Sequence, residues 1–217
     1  MYFSWMDLNS GDIHQFQYFI ILARMDYTSL LNNVQRNITL TKEEEQFFVS
    51  IVNPIKLKQG EFAEHAGDIT TGFIHVTAGC LMTYYTDREG SDQVIQFSTI
   101  GWWTGDLNSL TKQEPSIYST RALADSEIFS LPKIRLDELL DRYPKFERFF
   151  RIMFQNSLVT HQARIIEAST LTAEERYANF QKRYPQLEQF VPLKYIASYL
   201  GITPEFLSKI RRKMMVK

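Results

Sequence analysis

Leu193-Lys-Tyr-Ile-Ala-Ser-Tyr-Leu-Gly-Ile-Thr-Pro-Glu-Phe-Leu-Ser-Lys-Ile-Arg-Arg-Lys213 is the stretch that decides the fold. Its apolar residues recur at helical spacing on either side of Gly201-Ile202, so it reads as two helices joined by a tight turn. Ala197 is small enough for the second helix to cross close over the first, and Gly201 can take the positive φ the turn needs. Ile196, Leu200, Ile202, Leu207 and Ile210 supply a shared interior at matching offsets. Thr203-Pro204-Glu205 has the chemistry of a helix start, with Thr203 as N-cap and Pro204 in the first helical position. The second helix then presents Glu205, Ser208, Lys209, Arg211, Arg212 and Lys213 outward. This is helix-turn-helix geometry, in which the second helix enters the major groove. Thr203 and the helix N-terminus at Pro204 suit a phosphate. Glu205 can accept from cytosine N4, and Lys209 can donate to guanine O6/N7. Arg211, Arg212 and Lys213 suit phosphates. The plainer alternative is a surface helical hairpin with a solvated basic end.

Outward from this motif, charge is uneven. Residues 191–217 hold six basic side chains against Glu205 alone, a net +5. The whole chain of 217 residues is −1, so the other 190 residues carry −6. The pattern is an acidic body with a basic end, which confines DNA contact to the C-terminal helices. An apolar fraction of 44% argues against disorder. The single cysteine, Cys80, excludes a disulfide framework and any four-cysteine metal or iron–sulfur site. It reads as a small core residue, and a reducing cytoplasm is the simplest location.

Seven of the nine glycines lie between Gly60 and Gly105, which makes the middle of the chain a turn-rich β region. Runs at 72–76, 80–85, 92–97, 117–122 and 127–131 read as strands and hairpins. About eight short strands make a jelly roll. Two helices precede it, at 27–35 and from the Thr41-x-x-Glu44 capping box to about 52. After Pro132 the period becomes helical: a short helix at 135–143, a long one at 145–169 and a third capped at Thr172. The fold class is therefore α+β. Its domains are an N-terminal extension (1–26), a jelly-roll sensor (27–144), the long helix (145–169) and a helix-turn-helix domain (170–217). The first 23 residues carry no Lys or Arg and so lack a basic export region. They read as an extension or as a start codon misread upstream of Met25.

With this motif behind a β region and a long helix, the chain resembles the catabolite-activator (Crp/Fnr) family of bacterial transcription regulators, over about residues 27–213. Ala173-Glu-Glu-Arg-Tyr and Ala197-Ser-Tyr-Leu-Gly-Ile-Thr-Pro-Glu-Phe-Leu-Ser resemble its Bacteroidetes branch. The resemblance implies a sensor domain of the cyclic-nucleotide-binding type, a homodimer paired through the long helix, and two recognition helices on a palindromic double-stranded DNA operator. RNA polymerase is an implied further partner, and no membrane is. Many relatives carry a β-hairpin wing after the recognition helix, and this sequence stops at Lys217 without a clear one.

The sensor turn departs from the cyclic AMP pattern of that family, which is Gly-Glu-Leu followed about ten residues on by Arg-Ser. This chain has Gly105-Asp106-Leu107 and then Ser116-Ile117. Loss of the arginine removes the cation that offsets a cyclic phosphate, which argues against cyclic AMP in the usual mode. Arg121 is the nearby cation, but its strand position sets it apart. An effector pocket of Trp102, Trp103, Gly105, Asp106, Leu107, Asn108, Ser116 and Ile117 is one reading. The other has at least one tryptophan packing the jelly roll or its contact with the long helix. No cofactor is expected, and the effector is unknown. His65, His75 and His161 lack the setting of a haem ligand, and the sequence has no His-x-His pair for a cupin-type metal enzyme. The expectation is a non-enzyme. Its alternative is an effector-binding module with vestigial DNA binding.

Phe146, Phe149, Phe150, Met153 and Phe154 occupy more than one narrow stripe of the long helix. A helix covered on two sides, by its own domain and by a partner, is expected.

Overall fold

The computed structural model describes residues 26–185 and 187–215. The N-terminal extension, and with it the choice between Met1 and Met25, lies outside the described residues but for Asp26. Two short helices open the chain, α1 (Thr28–Gln35) and α2 (Lys42–Ser50). The capping box at α2 forms as the sequence predicts. Thr41 donates its N–H to Glu44 at 2.7 Å, and its hydroxyl accepts from the Glu44 N–H at 3.3 Å.

The strands are β1 (Asn53–Leu57), β2 (Phe62–Glu64), β3 (Gly72–Ala78), β4 (Leu81–Thr86), β5 (Asp92–Ser98) and β6 (Trp103–Thr104). A short helix α3 (Leu107–Lys112) follows, then β7 (Ser119–Ala122) and β8 (Ser126–Pro132). They form two antiparallel four-stranded sheets with orders β1-β8-β3-β6 and β2-β7-β4-β5. This is the expected jelly roll. Three of its strands, β1, β2 and β6, and one helix, α3, fall outside the runs that sequence pattern marks. Pro54 sits in β1, an outer strand, where its missing N–H breaks no ladder. α3 takes its start from an Asp106 side chain within what reads as a simple turn.

Alternation along the strands gives each sheet two faces. The facing sides enclose Ile74, Val76, Leu81, Ala122 and Ile128. The outer side of the first sheet, with Phe73, Phe129 and Leu131, packs on α1, α2, α4 (Lys133–Arg142) and the first half of α5 (Lys145–Thr170). The outer side of the second sheet, with Met82, Tyr84, Val94 and Phe97, packs on the C-terminal unit. That unit comprises α6 (Ala173–Arg183), α7 (Leu193–Leu200) and α8 (Pro204–Met215).

The aromatic argument for the long helix takes a different form in the structure. Phe146, Phe149 and Phe150 are all buried in the helix's own domain, and Met153 and Phe154 pack on the same cluster. The apolar residues α5 leaves exposed lie further along: Leu158, Val159, Ile165 and Ile166, each more than half accessible. The phenylalanines wrap around the helix because α4, the sheet and α2 approach it from several directions.

Candidate nucleic-acid interface and sensor turn

α7 and α8 meet across the turn the sequence predicts. Ile196, Ala197, Leu200, Leu207 and Ile210 are buried between them. Gly201 takes φ +67°, and the Ile202 N–H returns to the Ala197 carbonyl at 3.0 Å. Any side chain at Gly201 has open space, so what restricts the position is backbone conformation. Thr203 caps α8 by accepting the Phe206 N–H at 3.2 Å. The free N–H groups of the first turn and the positive end of the helix dipole therefore face solvent beside Pro204 and Glu205.

The eight residues singled out in sequence do not share one face. Glu205, Lys209, Arg212 and Lys213 are exposed. Ser208 is half-buried, and its hydroxyl donates to the Pro204 carbonyl at 2.9 Å. Arg211 turns inward, 3.9 Å from Glu188 and beside Tyr177. Lys213 lies 3.5 Å from Glu174. Helical rotation explains the split: Arg211 lies one turn on from Leu207 and next to Ile210, so it belongs to the edge of the buried face. Phe206, 44% exposed on the first turn of α8, is absent from the sequence list. An exposed aromatic beside Glu205 and Lys209 is suited to a thymine methyl group.

The sensor turn is built on Asp106. Its carboxylate accepts from the N–H groups of Asn108 and Ser109 at 2.9 and 3.2 Å, and from the Ser116 hydroxyl at 2.8 Å. The two halves of the sequence-predicted turn are thus joined. Deeper in the roll runs a line of hydroxyls. Thr83 is 3.1 Å from Thr104 and 3.0 Å from Thr120, and Thr120 reaches Glu64 at 3.4 Å. Burial lifts Glu64 to about 7, aided by the Asp106 charge and opposed by hydrogen bonds from Thr70 and Thr120. Glu64 and the threonines carry no motif signal, because only tertiary pairing brings them to Asp106.

Among the described residues no cation contacts this group. Strand alternation turns Thr120 and Ala122 inward and Arg121 outward. Arg121 instead donates to the Tyr195 hydroxyl at 2.6 Å and lies within 6 Å of the Phe62, Tyr84 and Tyr195 rings. The rest of the expected pocket also disperses. Leu107, Asn108 and Ile117 are exposed. Trp103 packs on His75, Phe149 and Phe150 and donates to Asn33 at 2.9 Å. Trp102 lies against Tyr184 of the C-terminal unit. Both tryptophans are therefore packing residues on the outside of the roll. His75 is fully buried, and desolvation lowers it to about 4. Cys80 is buried and its thiol is pushed up to about 12, so it is a core residue and unreactive. Among the described residues no helix is long and apolar enough to cross a membrane.

Residues 54–143 match the family model for the cyclic nucleotide-binding domain. The chain is 27% identical over 187 residues to the transcriptional activator protein anr of Pseudomonas aeruginosa, covering 80% of this chain and 75% of that protein. It is 26% identical to the anaerobic regulatory protein of Pasteurella multocida, over 79% of this chain and 67% of that one. Among solved structures it is similar to the c-di-GMP-responsive global regulator CLP of Xanthomonas campestris. The TM-score is 0.66 at 12% identity, covering 81% of this chain and 92% of that one. FixK2 of Bradyrhizobium japonicum gives a TM-score of 0.64 at 16% identity, covering 76% and 85%.

Proposed function

Because the chain belongs to the Crp/Fnr family of transcription regulators, we propose that it acts as a homodimer that reads a palindromic operator with α8. The observation that carries this is the outer face of α8. Glu205, Phe206, Lys209 and Arg212 stand exposed over a fully packed inner face, at the basic end of an otherwise acidic chain. Glu205 and Lys209 read base edges, and Phe206 adds a methyl contact. Thr203, the α8 N-terminus and Arg212 hold phosphates, with Lys213 joining them once released from Glu174. Arg211 stays inside with Glu188.

The exposed apolar stripe of α5 supports the dimer. Leu158, Val159, Ile165 and Ile166 recur at a spacing of seven, which suits a two-stranded coiled-coil seam. A two-fold axis there sets two recognition helices on two half-sites. The jelly roll serves as a sensor for a small effector. The paired acids Glu64 and Asp106 make its interior unsuited to a cyclic phosphate in the usual mode. The reading places the protein in the bacterial cytoplasm, with RNA polymerase as a second partner.

The test is genome-wide mapping of bound sites, followed by fluorescence anisotropy on the recovered operator and on random duplex. Lys209→Ala is expected to cost operator binding about 1–3 kcal/mol, and random duplex much less. Equal loss on both sequences removes Lys209 from base reading. Absence of recovered palindromic sites overturns the proposal.

A further inference from the structure

A cavity of about 380 Å³ lies outside the roll, where α1, α5, the β5–β6 connection and the C-terminal unit converge. It is separate from Asp106, Ser116 and Glu64, none of which lines it. Its walls combine flat rings with cations. Trp102, Tyr184 and Tyr199 supply rings, and Arg36 and Arg164 supply guanidinium groups. No aspartate or glutamate lines it.

Neither arginine is paired with a carboxylate among the described residues, although Arg164 is half-buried. The Arg36 side chain makes no hydrogen bond or ion pair among the described residues. Arg164 donates to the carbonyls of Ile95 in β5 and of Tyr199 in α7 (3.3 Å to the latter), and lies 4.0 Å from the centre of the Tyr199 ring. It forms no ion pair there. The exposed side chain of Asn156 also lines the cavity. Two cations without a carboxylate, set beside aromatic faces, suit a ligand with an anionic head and a planar ring.

The cavity also lies away from the proposed dimer seam. Its α5 lining is Met153, Asn156, Ser157, Thr160, His161 and Arg164. At 3.6 residues per turn these share one face, and the stripe of Leu158, Val159, Ile165 and Ile166 lies half a turn away.

We propose that this junction cavity binds a small aromatic anion, a carboxylate or phosphate on a flat ring, and that it is an effector site distinct from the roll interior. Arg36 and Arg164 hold the head, and the tryptophan and tyrosines hold the ring. Because Arg164 and Tyr199 join β5 to the helix-turn-helix unit, occupancy biases how that unit sits on the roll. Only this last consequence rests on the DNA-reading proposal.

The experiment uses the full chain, titrated with salicylate, indole-3-acetate and phenyl phosphate. Binding is followed by calorimetry and, for phenyl phosphate, which does not absorb where tryptophan is excited, by Trp fluorescence. The neutral analogue salicylamide is the control. Saturable binding of at least one anion is expected, weakened at least tenfold by Arg36→Ala and by Arg164→Gln. The Arg36 side chain is exposed and has no partner among the described residues, so its variant separates ligand loss from misfolding. No binding by any of the three anions overturns the site, as does equal binding of salicylamide or unchanged affinity in Arg36→Ala. In a second step, the bound anion is expected to change operator affinity at least fivefold. Binding with no such change in a protein that does bind operator overturns the effector role. Failure to bind any duplex, with anion binding intact, refutes the DNA-reading proposal alone.

Discussion

Ser198→Ala tests how the reading unit is attached to the sensor. β5 is the outer strand of its sheet, so one edge of its backbone has no neighbouring strand. Ser198 of α7 substitutes for that neighbour. Its hydroxyl accepts from the Val94 N–H at 2.9 Å and donates to the Asp92 carbonyl at 2.8 Å. Alanine is at least as good a helix former as serine, so α7 itself survives the change. What is lost is the partner of a backbone N–H at a packed interface, worth about 1–3 kcal/mol. Converted at about 1.4 kcal/mol per tenfold, local opening at Val94 becomes roughly 5 to 150 times more populated. Amide hydrogen exchange resolved to single residues reads this directly. Val94 is expected to lose protection by that factor, and amides in β8, on the other sheet, are expected to keep theirs. Val94 protection within twofold of wild type, in a protein of unchanged fold, refutes the edge-capping account.

Thr172→Ala removes the hydroxyl half of the α6 capping box, which accepts the Glu175 N–H at 3.3 Å, and leaves the bond from the Thr172 N–H to the Glu175 carboxylate at 2.8 Å. It is expected to cost about 1 kcal/mol in urea unfolding, and an unchanged midpoint contradicts the assignment. Leu158→Glu combined with Ile165→Glu places like charges on both sides of the proposed seam; sedimentation is expected to show a monomer whose circular dichroism matches wild type. The Glu64 carboxyl keeps its proton in the folded chain up to about pH 7, whereas the unfolded chain releases it from about pH 4.5. This group therefore lowers stability as pH rises through that window, by at most about 1.4 kcal/mol per unit. His75 acts in the opposite sense. It is held neutral down to about 4, so it lowers stability as pH falls below its ordinary value of 6.5. Glu64→Gln is expected to leave the His75 slope alone, with stability rising more steeply between pH 4.5 and 6.5; an unaltered profile sinks the burial account.

The helix-turn-helix was legible because every signal in it is local: Gly201 for the turn, Thr203 and Pro204 for the cap, and apolar residues at fixed offsets. The capping boxes at Thr41 and Thr172 were legible for the same reason. The roll was legible in class but not in pairing. β1 hid behind Pro54, which only its outer position makes tolerable. The residues of the expected effector pocket disperse because adjacency in sequence is not adjacency in space. Trp102 and Trp103 flank the Asp106 turn in the chain, yet strand alternation and the β6 pairing send their rings outside the roll. Glu64, Thr83 and Thr120 join Asp106 only through pairing across the second sheet. Arg211 departs from the outward face because helical phase, not charge, sets its direction.

The long helix ties these separate observations together. Its first half is fixed by Phe146, Phe149 and Phe150 in the first sheet's outer cluster, so the helix cannot rotate freely against its own domain. Its second half carries the apolar stripe on one face and the cavity-lining residues on the opposite one. A rigid helix with two such faces predicts that the seam and the cavity are thermodynamically independent unless the helix turns or bends. The effects of Leu158→Glu with Ile165→Glu and of Arg36→Ala on anion affinity should then add within about 0.5 kcal/mol, as for distant sites without shared partners. A larger coupling means that pairing moves α5 against the roll. Arg164, bonded at once to β5 and α7, is the residue through which that movement would reach the recognition helix.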